Sequence, residues 1–244
     1  MVSTVLPIDG CLNFRDAGGW WAAGGRMATG RLFRADDPIR LSDAGREAVA
    51  GLGLAAVIDV RQQQHILRSA GFCDAQRTVH LPLVDQVIDR AAPPPLERPE
   101  HLADLYDHMV SQSSATFARA LDVVAERLAD GPVLVHCAYG KDRTGLIVAM
   151  VQALLGVHDD DIVAEYARSD EPVRARRRWL LAEPRPDDPD IAAVPELLFQ
   201  APAEVMRLVV DRARTRHGST EAWVRSLPID TRTPDRLRGA LVVP

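Results

Sequence analysis

The sequence predicts an α/β fold, with a central, largely parallel sheet flanked by helices and extra helices towards the C-terminus. Three observations carry that expectation. Short apolar runs, Val57-Ile58-Asp59-Val60 and Pro132-Val133-Leu134-Val135, alternate with longer stretches of helical periodicity, the order that builds a sheet covered by helices. The second run passes through a short glycine-containing loop into an apolar helix, Leu146 to Val151. After Asp170 the chain turns polar and helical, is broken by Pro184, Pro186 and Pro189, and then resumes helical patterns.

Taken in order, residues 1–35 are irregular and rich in glycine, with a short strand expected at Arg31-Leu32-Phe33-Arg34. Trp20-Trp21, set among Gly18, Gly19, Gly24 and Gly25, reads as a turn or hairpin with both tryptophans capping the core edge. Ser42 is a good N-cap for a helix over Asp43 to Leu52, with acidic residues in its first turns. Val57–Val60 is a strand, and Thr78-Val79-His80-Leu81 is another, stopped by Pro82. Ala91-Ala92-Pro93-Pro94-Pro95 reads as a surface loop or stiff linker.

Leu102, Leu105, Tyr106 and Met109 share one helical face. Phe117, Leu121, Val124, Ala125 and Leu128 form the stripe of a second helix, Ser114 to Ala129, which Gly131 ends. Both stripes are expected to pack in the core. The strand Pro132–Val135 and the helix from near Thr144 to Gly156 come next. Asp159 is expected to cap a helix that carries Ile162, Val163 and Tyr166. Pro202 to Arg216 reads as a helix with Val205, Met206, Leu208 and Val209 on its apolar face. Thr220 to Val243 reads as two short helices, with Thr233-Pro234 supplying a cap and a first-turn proline. There is no internal repeat, and the 244 residues are expected to form a single domain.

Bulk properties narrow the function. With 47% hydrophobic residues the chain can bury a sizeable core, yet no run of about 18 apolar residues exists to span a membrane. Met1-Val2-Ser3-Thr4-Val5-Leu6-Pro7 lacks the basic start and apolar stretch of a secretory signal. Three scattered cysteines argue for a reducing compartment, so a cytoplasmic setting is expected, with non-classical export left open. No Cys/His cluster has zinc spacing, and neither a metal nor another cofactor is expected. A net charge of −5 argues against general binding of nucleic acid or anionic membranes, so any anion site must be a local basic pocket. Oligomeric state is not legible.

The chemistry concentrates in His136-Cys137-Ala138-Tyr139-Gly140-Lys141-Asp142-Arg143-Thr144-Gly145. A loop between a strand end and a helix start is an anion cradle, because the first helical N–H groups lack intrahelical partners and the helix dipole presents its positive end. A cysteine thiol at its ordinary pKa of ~8.5 is mostly protonated at neutral pH. Here the dipole, the N–H groups of Ala138 to Thr144 and the Arg143 guanidinium all favour the thiolate. The same groups suit the non-bridging oxygens of a phosphate. Arg143 can clamp two of them with its planar fork, and the clamp strengthens as charge spreads in the transition state. Gly140 lets the backbone turn inward with no Cβ in the way. Thr144 can place a hydroxyl near Cys137 to stabilise the departing thiolate.

This decapeptide resembles the signature of the cysteine-dependent protein tyrosine phosphatase superfamily: His-Cys, five residues, Arg, then Ser or Thr. Its Gly-Lys-Asp-Arg-Thr-Gly version resembles the atypical bacterial branch, and the resemblance runs along nearly the whole chain. Leu12-Asn13-Phe14-Arg15-Asp16, Gly30-Arg31-Leu32-Phe33-Arg34, Leu41 to Arg46, Val57 to Arg61, Leu81-Pro82-Leu83-Val84-Asp85, Glu165-Tyr166-Ala167-Arg168-Ser169 and Gly218-Ser219 occur in the branch's order. The resemblance implies a protein tyrosine phosphatase-like fold and metal-free hydrolysis of phosphotyrosine through a phosphocysteine on Cys137. It further implies that phosphoserine, phosphothreonine and phosphoinositides are accepted. In a mycobacterial member of the branch, the region matching residues 183–217 is a helical lid over the active site.

A leaving alkoxide or phenoxide needs a proton, and two carboxylic acids compete to give it. Asp85 follows a strand end and aligns with the branch's aspartate after Leu-Pro. Asp142 lies inside the cradle, where it can instead rigidify the loop or pair with Arg143 or Lys141. Lys141 adds charge suited to a second phosphate, or is simply solvated. Arg15, Asp16, Asp59 and Arg61 can form ion pairs that buttress the site. Cys11 or Cys73 can in principle shield Cys137 as a disulfide, although nothing in the spacing says so. Two other classes compete with a phosphatase: a phosphate-binding module without chemistry, and a rhodanese-like sulfurtransferase. The intact Cys137, Arg143 and Thr144 speak against the first, and the length and sequence of the loop against the second.

Overall fold

The computed structural model describes residues 6–63, 71–83, 96–184 and 190–244. At its centre is a five-stranded sheet of β1 (Arg15–Asp16), β4 (Leu32–Ala35), β7 (Val133–His136), β5 (Ala56–Asp59) and β6 (Thr78–His80), side by side in that order. β4, β7, β5 and β6 run parallel and β1 antiparallel. Ala35, His136 and Asp59 are in register, so the carboxyl ends of three neighbouring strands open onto one edge. Open α/β sheets place their ligands at that edge.

Alternation along the strands splits the core in two. Leu32, Ile58, Val60, Val133 and Val135 face one side, where they meet α2 (Pro99–Gln112), α3 (Ser114–Arg127) and α4 (Asp142–Leu154). Phe33, Val57 and Leu134 face the other, with Ile8, Phe14, Val49 and Phe72. Val49 comes from α1 (Asp43–Ala50), whose first turn is capped by Ser42 Oγ accepting from the Gly45 N–H at 3.0 Å. Every residue of α4 from Arg143 onward is buried, which explains its all-round apolar sequence.

The remaining elements enclose that helix. α5 (Asp159–Ala167) and α6 (Asp170–Ala182) are followed by a 3-10 turn at Glu196–Phe199 and by α7 (Ala203–His217). α7 buries Val205, Met206, Val209 and Val210 against α5 and α2. α8 (Thr220–Arg225) packs on α4, and α9 (Thr233–Leu241) on α3 and α4.

Several expectations change. The hairpin of β2 (Trp21–Ala22) and β3 (Gly25–Met27) forms, but only Trp20 packs on the core; Trp21 is 68% exposed, with Arg26 over its ring. Val242–Val243 is not helical but a strand, β8, paired with β3, where a Cβ on Gly25 would sit 2.1 Å from the Val243 carbonyl oxygen. α5 is capped by His158, whose Nδ1 accepts from the Asp160 N–H, because Asp159 instead accepts from Thr220 Oγ1 at 2.8 Å. α4 begins at Asp142, two residues early, since the Lys141 carbonyl already accepts from the Gly145 N–H at 2.8 Å. The Ala91–Pro95 loop, Pro186 and Pro189 lie outside the described residues.

Ile147 is fully buried on α4, between the sheet and its covering helices. Ile147→Ala should lower the unfolding free energy by ~2–5 kcal/mol in urea titration, the range for emptying a tightly packed site.

Candidate active site

The loop 137–141 leaves β7 at the sheet's carboxyl edge and enters α4. Its shape is set by what its carbonyls do. The Ala138 carbonyl accepts from the Asp37 N–H at 3.2 Å, and the Tyr139 carbonyl from Asn13 Nδ2 at 2.9 Å. The Gly140 carbonyl accepts from the Arg34 guanidinium, and the Lys141 carbonyl is taken into the helix. No peptide here is cis, so each peptide N–H points opposite to its carbonyl. Holding the carbonyls of 138, 139 and 140 on outside donors therefore aims the N–H groups of Tyr139, Gly140 and Lys141 the other way. Gly140 adopts φ +64°, and a Cβ there would lie 2.5 Å from the Ala35 carbonyl oxygen, so no other residue fits. Lys141, at the N-cap of α4, makes no side-chain capping bond to the first helical N–H groups.

Cys137 is buried, 1% exposed, at the loop's start. Arg143 is 5% exposed, with Nη1 donating to the carbonyls of Val60 (3.2 Å) and Leu83 (3.4 Å), just past the ends of β5 and β6. Thr144 Oγ1 is buried and has no hydrogen-bond partner among the described residues. Tyr139 sets its ring edge-on to Phe199 at 5.7 Å, with Arg176 from α6 over it at 5.1 Å. Asp85 lies outside the described residues; its place in the chain is two residues beyond Leu83, whose carbonyl meets Arg143. Asp142 Oδ1 accepts from Tyr106 Oη at 2.6 Å and lies 3.1 Å from Lys141 Nζ. Burial, with Asp142 nearby, pushes the phenols of Tyr106 and Tyr166 up, so both stay neutral; Tyr166 Oη lies 2.8 Å from Tyr106 Oη.

Lys141 departs from both expectations for its side chain. It is fully buried, and its Nζ donates to the carbonyls of Leu198 and Gln200, each at 3.0 Å. Its charge ties the Glu196–Phe199 turn to the loop rather than facing water or an incoming second phosphate.

Two buried ion clusters flank the loop. On one side Arg61 donates to Asp59 and to Asp37 (2.8 Å), and Asp59 Oδ2 lies 3.5 Å from His136 Nε2. Burial lowers the His136 imidazole despite Asp59, so it is neutral at physiological pH. On the other side Glu165 of α5 receives Arg15 (2.9 Å) and Arg34, and Arg15 also donates to Asn13 Oδ1 and to Ser169 Oγ (2.9 Å). Of the four residues expected to buttress the site, Arg15, Asp59 and Arg61 stand in these clusters. Asp16 instead accepts from the N–H groups of Gly18 and Gly30 in the hairpin region. Cys11 Sγ donates to Asp36 at 2.7 Å, and burial followed by Asp36 pushes its thiol well up, the state of an inert donor. None of the three cysteines forms a disulfide. Asn13, Arg34 and Glu165 were not singled out from the sequence as site residues. The available signal was that each lies in a segment that carries the resemblance.

A buried cysteine just past a strand end, an arginine six residues on in the first turn of the next helix, and a loop with its carbonyls turned outward therefore meet at the carboxyl edge of an α/β sheet. The chain belongs to the tyrosine phosphatase family, which matches it over residues 6–243. It is 30% identical to the triple specificity protein phosphatase PtpB of Mycobacterium tuberculosis, over 98% of this chain and 99% of that protein. It is also 32% identical to a tyrosine-protein phosphatase of Nostoc commune, over 57% of this chain and 48% of that one. The protein is thus an enzyme that hydrolyses phosphotyrosine. Among the described residues no helix is long and apolar enough to cross a membrane.

Burial alone would raise the Glu165 carboxyl, but Arg15 and Arg34 outweigh it and hold the group below its ordinary value. A carboxylate held low stabilises the fold above its unfolded pKa of ~4.3, and loses that contribution as pH falls through the lower folded value. Wild type should therefore exceed Glu165→Gln in unfolding free energy most widely near pH 7, with the margin shrinking below about pH 4. Urea titrations across that range would read it, and a margin independent of pH would contradict the ion cluster.

Proposed function

We propose that Cys137 is the nucleophile of a low-specificity phosphatase whose residues 1–244 form one domain. The observation that carries the reading is the outward hold on the loop carbonyls, which leaves successive N–H groups for an oxyanion. The thiolate sulfur attacks phosphorus, the bond to the leaving oxygen breaks, and that oxygen takes a proton from a carboxylic acid. The backbone N–H groups of Ala138, Tyr139, Gly140, Lys141, Asp142, Arg143 and Thr144 line the cradle. The Arg143 guanidinium, anchored through Nη1, clamps the equatorial oxygens. Water then attacks phosphocysteine, its proton passes to the carboxylate, and the sulfur leaves as thiolate near Thr144 Oγ1. Cys137→Ser should abolish turnover while still binding inorganic phosphate; a Cys137→Ser enzyme with wild-type turnover would remove Cys137 from the role.

Asp85 is the proposed acid, because Asp142 is already bound to Tyr106 and beside Lys141 in a bridging arrangement. With aryl phosphates of graded leaving group, Asp85→Asn should slow poor leaving groups by ~10²-fold or more and good ones far less. Asp142→Asn should slow all alike. The reverse pattern would transfer the role to Asp142.

The substrate range is proposed to include phosphoserine, phosphothreonine and phosphoinositides, supported by the mycobacterial relative described as triple specificity. The Lys141 side chain lends the phosphoinositide reading no support, being engaged with Leu198 and Gln200. A panel of phosphopeptides and phosphoinositides assayed with chelator present tests range and metal independence together. Of the lid expected near 183–217, residues 190–201 are the part proposed to cover the cradle, through the contacts to Lys141 and Tyr139. A cytoplasmic setting is proposed from the three unbridged cysteines.

A further inference from the structure

Beneath the cradle lies a buried carboxylate with two arms. Glu165 is 1% exposed and reaches in from α5. One arm runs through Arg15, which donates to Glu165 Oε1 and to Asn13 Oδ1. Arg15 thereby fixes which end of the Asn13 amide faces the loop, and the opposite end, Nδ2, donates to the Tyr139 carbonyl at 2.9 Å. The other arm runs through Arg34, which bridges Glu165 Oε2 and the Gly140 carbonyl. Arg34 is fully buried, and it reaches the loop past Gly145 of α4. A Cβ on Gly145 would lie 3.1 Å from the Tyr166 ring and 3.4 Å from Arg34 Nη2, so the helix carries no side chain where the guanidinium passes.

The two arms end on successive peptides. The carbonyl of Tyr139 shares its plane with the Gly140 N–H, and that of Gly140 with the Lys141 N–H. We propose that Glu165 is a positioning residue for the reaction: through Arg15 and Asn13 it orients the Gly140 N–H, and through Arg34 the Lys141 N–H, toward the phosphate. This rests on the cradle described above. Two guanidiniums on one carboxylate also leave a net positive charge behind the loop, and Arg34 passes it to the anion through a polarised peptide. A lysine in place of Arg34 keeps the charge but has no planar fork to span carboxylate and carbonyl together.

The two arms make separable predictions, read by backbone amide NMR of the full chain titrated with inorganic phosphate. In wild type the amides of both Gly140 and Lys141 shift. Arg34→Lys should suppress the Lys141 response and spare that of Gly140, Asn13→Ala should do the opposite, and Glu165→Gln should suppress both. In Glu165→Gln, kcat on an aryl phosphate should fall at least tenfold, and phosphate should inhibit at least tenfold more weakly. If Glu165→Gln does not fold, the crossed pattern of the other two variants decides. Variants that are folded and respond as wild type does would overturn the proposal while leaving the cradle intact. A wild type whose loop amides ignore phosphate would overturn both.

Discussion

The site depends on one constraint: the carbonyls of residues 138–141 are all bonded away from the hollow they enclose. A peptide has a donor end and an acceptor end, and a loop left to itself presents both. An anion tolerates only donors. Three separate groups, the Asp37 N–H, the Asn13 amide and the Arg34 guanidinium, enforce the choice, and they come from one short stretch of chain, 13–37. That stretch holds β4, which lies beside β7 in the sheet, so strand pairing brings the donors to the loop. Fold and site are linked by this register: Ala35, His136 and Asp59 end together, so the segments leaving those three strand ends converge on the cradle.

Holding the loop this way requires charge inside the protein. Arg34, Arg61 and Lys141 are each 1% exposed or less. Buried ion pairs seldom add stability over a well-packed apolar core, and breaking one by removing a partner costs ~3–5 kcal/mol. Their presence around one loop is better understood as geometry held for function than as stabilisation. Each cation is matched: Arg34 by Glu165 and the Gly140 carbonyl, Arg61 by Asp59 and Asp37, Lys141 by Asp142 and two carbonyls. Lys141 also attaches the Glu196–Phe199 turn to the loop, so the wall formed by Phe199 and Tyr139 is coupled to the cradle's shape.

The order of strands and helices was legible because burial imposes periodicity, and periodicity is local. Val57–Val60, Ser114–Ala129 and the helix after Thr144 all appear within a few residues of their expected bounds. The motif that holds Cys137, Arg143 and Thr144 could be read as one unit because it is continuous in the chain, from a strand end into the first turn of α4. The partners that shape the loop were not, since the relevant separations are 126 residues for Asn13 to Tyr139, 106 for Arg34 to Gly140 and 131 for Arg34 to Glu165. No local pattern marks a buried guanidinium as distinct from a solvated one. The Lys141 side chain illustrates the limit: its position in the signature suggests a second phosphate or plain solvent, and its neighbours across the chain supply carbonyls instead. Trp21 and Val242–Val243 differ from expectation for a related reason, because a two-residue strand and an exposed indole are decided by the edge they meet.

The position taken by a bound oxyanion decides between this site and any other. A crystal structure of the protein with vanadate tests it most directly. Vanadium should be bonded to Cys137 Sγ, with its oxygens held by the N–H groups of the loop and by Arg143, and the carbonyls of 138–140 should stay on their outside donors. Vanadate bound away from Cys137, or a loop peptide turned so that a carbonyl faces the anion, would contradict the cradle.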